Sequence, residues 1–193
     1  MSVIVYDNVC KKFEGSKGLA VDHVNAEIGE CEFITILGSS GCGKTTLLNI
    51  ILGLVTPDSG SVEGLPDRIT ALFQEDRLCE DFTAESNVRL TAAGGVTREA
   101  IADALAELGL EDDIKTPVRE LSGGMKRRVA IARAMLAEGE LVIMDEPFRG
   151  LDGENRRRAA EFVTSRLNGR TLLAVTHDPE DIELLGAEKV LEM

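Results

Sequence analysis

A glycine-rich stretch of eight residues constrains this chain more than any other, Gly38-Ser39-Ser40-Gly41-Cys42-Gly43-Lys44-Thr45. It has the form G-x-x-x-x-G-K-[ST], in which backbone amides surround phosphate oxygens, the lysine reaches the β- and γ-phosphates and the hydroxyl reaches Mg²⁺. The residues before it, 34–37, are apolar and β-branched like a buried strand, and residues 46–52 read as a buried helix. The start of such a helix directs its positive end at an anion. This stretch, the phosphate loop, therefore predicts an α/β fold that binds a nucleoside triphosphate.

Composition narrows the remaining classes of function. The chain has 193 residues, which suits one domain, and 44% of them are hydrophobic, which is enough for a sizeable core. The formal charge of −13 argues against a nucleic-acid binder, because such proteins normally present a basic face. Two basic runs, Lys126-Arg127-Arg128 and Arg156-Arg157-Arg158, are expected to be solvated helix faces that pair with carboxylates. A patch for a membrane surface or a nucleic acid is the alternative interpretation of these runs.

The cysteines and the apolar segments predict a reduced, cytoplasmic protein. No C-x-x-C pair is present, and no histidine lies close to a cysteine in the chain, so we expect neither a zinc site nor a disulfide framework. The first residues lack the basic and apolar regions of a signal peptide, and the longest apolar run is too short to span a bilayer. Any role at a membrane is therefore expected to depend on a partner.

Hydrophobic periodicity divides the chain into an α/β part and a helical part. Strands are predicted within 3–37, at 61–63, 68–73, 141–144 and 171–176, and a helix is predicted to begin after Asp178. Residues 83–137 have helical periodicity, with Thr97 and Ser122 as candidate caps. We expect one domain over 1–193, with an α/β core at 1–79 and 138–193 and a helical subdomain at about 80–137.

Two further sequence patterns are typical of sites that bind phosphate groups or the metal ion beside them. An apolar strand ends in Asp145 and Glu146, where the first carboxylate suits Mg²⁺ and the second could polarise an attacking water. Upstream, Ser122, Gly123 and Gly124 open a predicted helix, so that a hydroxyl, bare amides and a helix dipole form a second candidate anion site. An ordinary strand end and an ordinary helix cap are the alternatives for these two patterns.

Taken in order, these motifs resemble the ATP-binding cassette (ABC) family, in particular the nucleotide-binding ATPase subunit of a membrane transporter. The resemblance covers nearly the whole chain. It implies a P-loop NTPase core with a parallel sheet, N-terminal antiparallel strands and a helical subdomain. It also implies that residues 121–125, the signature segment, complete the ATP site of the opposite subunit. Met125 departs from the glutamine that is common in this segment, and Arg149-Gly150 replaces a commoner pair of small residues.

The resemblance assigns further roles. Gln74 matches a glutamine that touches Mg²⁺ and the attacking water, and His177 matches a histidine that contacts the γ-phosphate. Asp152 lies in the loop that crosses the dimer interface, and Phe13 takes the position of an aromatic ring against adenine. A core position for Phe13, and a capping or core role for His177, are the alternatives.

The resulting candidate site has three parts. The catalytic residues are Lys44, Gln74, Glu146 and His177. The metal ligands are Thr45, Gln74 and Asp145. The nucleotide-binding residues are Phe13, Gly38, Ser39, Ser40, Gly41, Cys42, Gly43, Lys44, Thr45, Thr46, Ser122, Gly123, Gly124 and Asp152.

The resemblance also implies partners. We expect ATP and Mg²⁺ as cofactors, an ATP-dependent homodimer or a heterodimer with a related cassette, and transmembrane permease subunits that dock near 77–88 on the inner face of the cell membrane. Residues 74–78 resemble those of importers of nitrate, sulfonate or similar small solutes. The alternatives are a non-transport ABC ATPase acting on DNA repair or ribosomes, and a small-molecule kinase, which would not need the signature segment.

Overall fold

The computed structural model describes residues 3–16, 18–39 and 41–192. Three strands come first in the chain, and three α-helices follow one another between the fifth and sixth strands. The strands are β1 (Ile4–Lys11), β2 (Val21–Ile28), β3 (Phe33–Leu37), β4 (Ser59–Glu63), β5 (Ile69–Leu72), β6 (Leu141–Asp145), β7 (Thr171–Thr176) and β8 (Lys189–Glu192). The helices are α1 (Lys44–Ile51), α2 (Ala84–Arg89), α3 (Arg98–Glu107), α4 (Gly123–Leu136), α5 (Gly153–Ser165) and α6 (Pro179–Leu185). None of the helices in the described ranges is long and apolar enough to cross a membrane.

Five of these strands form a parallel sheet in the order β5-β6-β7-β3-β8. Its central strands are buried on both faces, which is why they read as continuous apolar runs rather than alternating ones. In β6, Leu141 and Ile143 pack with α1 and the antiparallel strands, whereas Val142 and Met144 pack with the helices on the opposite face. The predicted α/β fold class is confirmed.

A second, antiparallel sheet has the order β2-β1-β4. Register shifts interrupt the pairing of β1 with β2, and Asn8 and His23 take left-handed backbone angles there, with φ of 51° and 47°. The irregularity brings ligand atoms of Cys10, Asp22 and His23 within 4.8 Å of one another. The expectation that no histidine lies close to a cysteine is therefore wrong in space, because the two strands pair residues that are distant in the chain.

Helices α2, α3 and α4 pack against one another around one apolar cluster, which they share with one face of the parallel sheet. Each helix begins at a residue whose side-chain oxygen accepts a backbone N–H of the first turn. The three caps are Thr83, Thr97 and Ser122. The sequence predicts the caps at Thr97 and Ser122, since a hydroxyl at that position satisfies an amide that the helix itself leaves unpaired. The cap at Thr83 is an addition from the structure.

The two basic runs differ in their surroundings. Arg156 pairs with Asp178 and Glu180 across α5 and α6, as expected for a helix face paired with carboxylates. Arg127 and Arg128, however, are only 3% and 9% exposed. The interpretation of the first run as a solvated face is wrong for both residues, because their guanidinium groups turn inward to backbone carbonyls.

Candidate nucleotide-binding site

A cavity of about 1110 Å³ opens where β3, β5, β6 and β7 end. The carboxyl ends of parallel strands meet at one edge of a sheet, and ligands of open α/β folds bind there. Ten predicted site residues that line the cavity are Phe13, Gly38, Ser39, Gly41, Gly43, Thr46, Lys44, Thr45, Gln74 and Asp145. Glu146 and His177 line it as well. Ser40 lies outside the described residues.

The phosphate loop joins β3 to α1 through left-handed backbone. Gly41 and Gly43 have φ of 83° and 107°, angles that side-chain-bearing residues rarely adopt. The ammonium of Lys44 is nearly buried and donates to the carbonyls of Gly38 at 2.6 Å and Ser39 at 2.9 Å. These bonds hold the lysine across its own loop, where it lines the cavity.

Thr45 and Asp145 form the second element of the site. The hydroxyl of Thr45 donates to Oδ2 of Asp145 at 2.9 Å, which joins the first turn of α1 to the end of β6. Burial raises the pKa of the Asp145 carboxyl, and the hydrogen bond from Thr45 opposes that shift. A hydroxyl and a carboxylate are hard oxygen donors, and Mg²⁺ prefers such donors. The residues present therefore fit a Mg²⁺ ion beside the phosphate loop.

Glu146 and His177 form the third element. Nδ1 of His177 lies 2.8 Å from each carboxylate oxygen of Glu146, which joins the residues that follow β6 and β7. Glu146 has φ of 51°, which is rare outside glycine, while its N–H still donates to Val175 O at 2.8 Å. The backbone thus continues the sheet pairing by one bond before it turns. His177 is exposed and Asp178 caps α6, so the core and capping alternatives for this histidine are wrong.

Phe13 borders the cavity at the end of β1. Its ring is 43% exposed, so a core position is wrong, and the ammonium of Lys11 lies 5.7 Å from the ring centroid. Asp58 accepts hydrogen bonds from Lys11 Nζ at 2.8 Å and from the backbone N–H of Lys12 at 2.7 Å. These bonds tie the segment that carries the ring to the start of β4.

Gln74 follows β5 in a short loop, residues 73–77, which we call the glutamine loop. The guanidinium of Arg77 stacks 3.7 Å from the Phe73 ring centroid, and Arg77 itself has φ of 48°. Two arginines of α4 bind carbonyls of this loop: Arg127 binds that of Phe73, and Arg133 binds those of Asp76 and Arg77. The loop is thereby fastened to the helix that begins at the signature segment.

The remaining nucleotide-binding candidates do not line the cavity. Ser122 accepts the N–H of Met125 at 3.3 Å, and Asp152 accepts that of Asn155 at 3.0 Å, so each begins a helix. Hydrogen bonds from Asn155 lower the pKa of Asp152. A Cβ added at Gly124 would lie 3.5 Å from Gly150 O, so the signature segment lies beside the loop before Asp152. These candidates form a second surface.

Cys42 belongs to the phosphate loop, with its Sγ 3.9 Å from Nζ of Lys44, although it is not among the residues that line the cavity. Sequence reasoning missed four lining residues. They are Ala20, Leu37, Arg149 and Pro179. Arg149 was noted only as a departure from the family pattern, and its charge next to the Asp145–Glu146 pair was the signal that could have identified it. Arg127 was missed because its run resembled a solvated helix face.

Comparisons with known proteins point to one family. The family model described as "ABC transporter" matches residues 21–149. The aliphatic sulfonates import ATP-binding protein SsuB of Bacillus subtilis (strain 168) is 38% identical over 91% of this chain and 73% of its own length. The bicarbonate transport ATP-binding protein CmpD of Synechococcus elongatus is 37% identical over 97% of this chain and 74% of its own.

Solved structures agree with the sequence relatives. The ATP-binding cassette MJ0796, in a dimeric post-hydrolysis state bound to ADP and Pi, superimposes with a TM-score of 0.84 at 29% identity, covering 98% of this chain and 94% of that chain. A second structure of MJ0796, described as a dimeric bacterial ABC transporter cassette, gives 0.83 at 31% identity over 98% and 94% of the two chains. The phosphate loop, the two strand-end acids and the signature segment thus occur together in a chain that belongs to the ABC transporter family, as an ATP-binding subunit.

Proposed function

We propose that this chain binds and hydrolyses Mg-ATP to power import through membrane-spanning partner subunits. One observation carries the proposal: the phosphate loop, the Thr45–Asp145 pair and the Glu146–His177 pair border one cavity. Membership of the ABC transporter family and the names of the import relatives support it, whereas nothing favours the non-transport alternative.

Binding uses the loop and the aromatic ring. Backbone amides of the phosphate loop and the start of α1 receive the phosphate oxygens, and Lys44 adds a positive charge at the β- and γ-phosphates. Phe13 offers an exposed face on which the adenine ring stacks. Stacking excludes water from that face of the base.

The chemical step is in-line attack of water on the γ-phosphate. Glu146 accepts a proton from the attacking water, and His177, held by that carboxylate, orients toward the γ-phosphate. Thr45, Asp145 and Gln74 would hold Mg²⁺, which when bound neutralises charge on the phosphate oxygens. Lys44 and the loop amides stabilise the negative charge that develops on the transferred group.

A second copy of the chain completes each site in this proposal. Ser122, Gly123, Gly124 and Asp152 do not line the cavity of their own chain, and they form a surface with an N-terminal helix end. Dimeric cassette structures among the relatives support pairing of two copies. The family resemblance implies that the copies pair head to tail, so that this surface meets the γ-phosphate bound by the neighbour. The helices between 80 and 137 then act as a subdomain that carries the signature segment.

The transport partners follow from the relatives. Their printed names describe import of aliphatic sulfonates and transport of bicarbonate, so we infer a small oxyanion as the class of solute. Permease subunits would hold the chain at the inner face of the membrane. Residues 77–88, next to the glutamine loop, are the surface proposed for docking.

The test is phosphate release by the purified chain with Mg-ATP, compared with EDTA and with Lys44→Ala. We expect metal-dependent release that Lys44→Ala abolishes. Capture of the chain from its own cells should then recover a membrane permease, and deleting that permease should stop uptake of one small oxyanion. Phosphate release that does not depend on metal or on Lys44, or capture without any membrane protein, would contradict the proposal.

A further inference from the structure

Arg127 uses every hydrogen-bond donor of its guanidinium inside the protein. Nε donates to Pro147 O at 2.9 Å, and Nη2 donates to the carbonyls of Asp145 and Glu146, both at 2.7 Å. Nη1 donates to Phe73 O at 2.7 Å and to a carboxylate oxygen of Asp76 at 2.9 Å. Since a guanidinium has five N–H donors, no donor remains for another partner.

These five acceptors belong to two different parts of the candidate site. Asp145, Glu146 and Pro147 continue β6 into the catalytic turn, while Phe73 and Asp76 flank Gln74. Arg127 itself lies in the second turn of α4, the helix that begins at Ser122. One side chain therefore joins the signature helix, the glutamine loop and the turn of Glu146.

The burial of Arg127 makes these bonds costly to lose. The residue is 3% exposed, and Asp76 is the one carboxylate in the described chain that pairs with it. Burial lowers the pKa of Arg127, and the hydrogen bond to Asp76 opposes that shift. Removal of the guanidinium would take a donor from four carbonyls and a carboxylate, and the left-handed turn at Glu146 would lose three of these bonds, those to the carbonyls of residues 145–147.

We propose that Arg127 is a positioning residue, which makes the placement of Gln74 and Glu146 depend on the orientation of α4. The inference rests on the proposed function, because it assigns the coupling between the signature segment and the hydrolytic residues of the same chain. A neighbour's nucleotide that contacts the start of α4 would then be sensed at Glu146 through one rigid side chain. The affinity of the phosphate loop for nucleotide does not depend on Arg127.

A merely structural role is the competing explanation, and the chain offers a matched control for it. Arg170 is another part-buried guanidinium whose donors bind backbone carbonyls, those of Met135, Ala137, Arg166 and Leu167. None of these residues lines the candidate site. Arg170→Met should therefore reproduce the loss of a buried arginine without disturbing Gln74 or Glu146.

The experiment compares Arg127→Met, Arg127→Lys and Arg170→Met with the parent chain. Melting temperature, ATP affinity in EDTA, and kcat and KM for Mg-ATP are measured for each. We expect both Arg127 variants to bind ATP within about threefold of the parent while kcat falls at least about tenfold, a usual size for lost preorganisation. Arg170→Met should keep kcat within about twofold even if it melts as early as Arg127→Met.

A spectroscopic readout separates positioning from stability. The chain contains no tryptophan, so Phe73→Trp places a single reporter beside Gln74. Its emission should change on adding Mg-ATP, and this change should be lost with Arg127→Met and kept with Arg170→Met. If Arg127→Met does not fold, Arg127→Lys serves instead, because it keeps the charge and loses the planar fork.

The outcomes distinguish the two proposals. If the parent releases no phosphate, the proposed function fails, and the tryptophan signal alone decides the role of Arg127. If the parent is active and the Arg127 variants match Arg170→Met in kcat and in tryptophan response, Arg127 is only a structural residue and the inference is overturned.

Discussion

The imidazole Nδ1 of His177 lies 2.8 Å from each of the two carboxylate oxygens of Glu146. The two residues directly follow the adjacent parallel strands β6 and β7, and the backbone N–H of Glu146 also donates to Val175 O in β7. The pair is thus held at its backbone and at its side chains. Substitution of either residue is therefore expected to slow hydrolysis more than it lowers the stability of the fold.

Glu146→Gln should abolish steady-state hydrolysis and leave ATP binding intact. The amide keeps the shape of the side chain but does not accept a proton, a loss expected to lower kcat by about 10² to 10⁴. Phosphate release and ATP affinity in EDTA are measured side by side. Undiminished release by the variant would show that another residue acts as the base.

The same variant should form a dimer with Mg-ATP, because the neighbour's γ-phosphate recruits Ser122, Gly123 and Gly124. Light scattering with and without nucleotide gives the mass. Ser122→Arg in the Glu146→Gln background should prevent the dimer and spare nucleotide binding, while Ala100→Arg, at an exposed position of α3, adds the same charge and serves as the control. A mass that never changes, even at high protein concentration, would contradict the shared-site arrangement.

Phe13→Ala should weaken ATP binding by about 1–3 kcal/mol, the usual contribution of a base stacked on an aromatic ring. Such stacking recognises no base edge, so GTP affinity should fall by a similar amount. Phe82→Ala is the matched control, because its ring is 47% exposed and does not line the cavity. Equal affinities for Phe13→Ala and Phe82→Ala would exclude adenine stacking by Phe13.

A bulky thiol reagent should modify Cys42 and block ATP binding, and Mg-ATP should protect it, since the residue lies within the phosphate loop. Cys31 and Cys79 are exposed and react as well, so the labelling is done with both changed to Ser, and sites are identified by peptide mapping. Cys42→Ser should keep its activity, because the loop binds phosphate through amides and Lys44. Labelling of Cys42 that Mg-ATP does not slow would refute its place at the nucleotide.

Arg156 should stabilise the protein above acidic pH. Its hydrogen bond is the main cause that lowers the pKa of Asp178 below the ordinary carboxyl value, so this stability is present above that value and is lost as pH falls through the folded pKa. Arg156→Met also leaves Asp181, which is 3% exposed, with Thr176 as its remaining side-chain donor.

We expect Arg156→Met to lower the free energy of unfolding at pH 7 by about 1–3 kcal/mol and to flatten the decline of that free energy as pH falls from 7 through the ordinary carboxyl pKa of about 4. Denaturant unfolding across that range measures both effects. Arg157→Met, on an exposed position of the same helix, should stay within about 0.5 kcal/mol of the parent. A variant at position 156 that retains the parent's pH dependence would contradict this account.

The parts of the site that are local in sequence could be predicted from it. One continuous segment contains the strand before the phosphate loop, the glycines of the loop and the start of α1 at Lys44. Its residue order alone predicts a phosphate-binding site. The position of Asp145 and Glu146 at a strand end could be predicted in the same way, because a buried apolar strand must end before two carboxylates. The helix caps at Thr97 and Ser122 follow for the same reason.

The rest depends on contacts between distant residues. The letters Lys126-Arg127-Arg128 do not differ from those of a solvated run, and only the fold brings Phe73 O, 54 positions away, to Arg127. Likewise Cys10 and His23 meet through irregular pairing of two strands. The position of Asp152 at a dimer interface, and the part of Ser122 in the site of a neighbouring subunit, rest on the resemblance alone, since their surface lies away from the cavity of their own chain.

Every residue of β6 and β7 is buried, whereas the residues just beyond their carboxyl ends, Glu146 and His177, emerge at the cavity. The boundary between the least and the most deformable parts of the molecule therefore runs through the site itself. The carboxylate and the imidazole are carried by the buried ends of β6 and β7, which move only when the sheet unfolds. The exposed loops around them rearrange at a much lower free energy. The catalytic pair can therefore keep its geometry through repeated rounds of hydrolysis while the surrounding loops change shape.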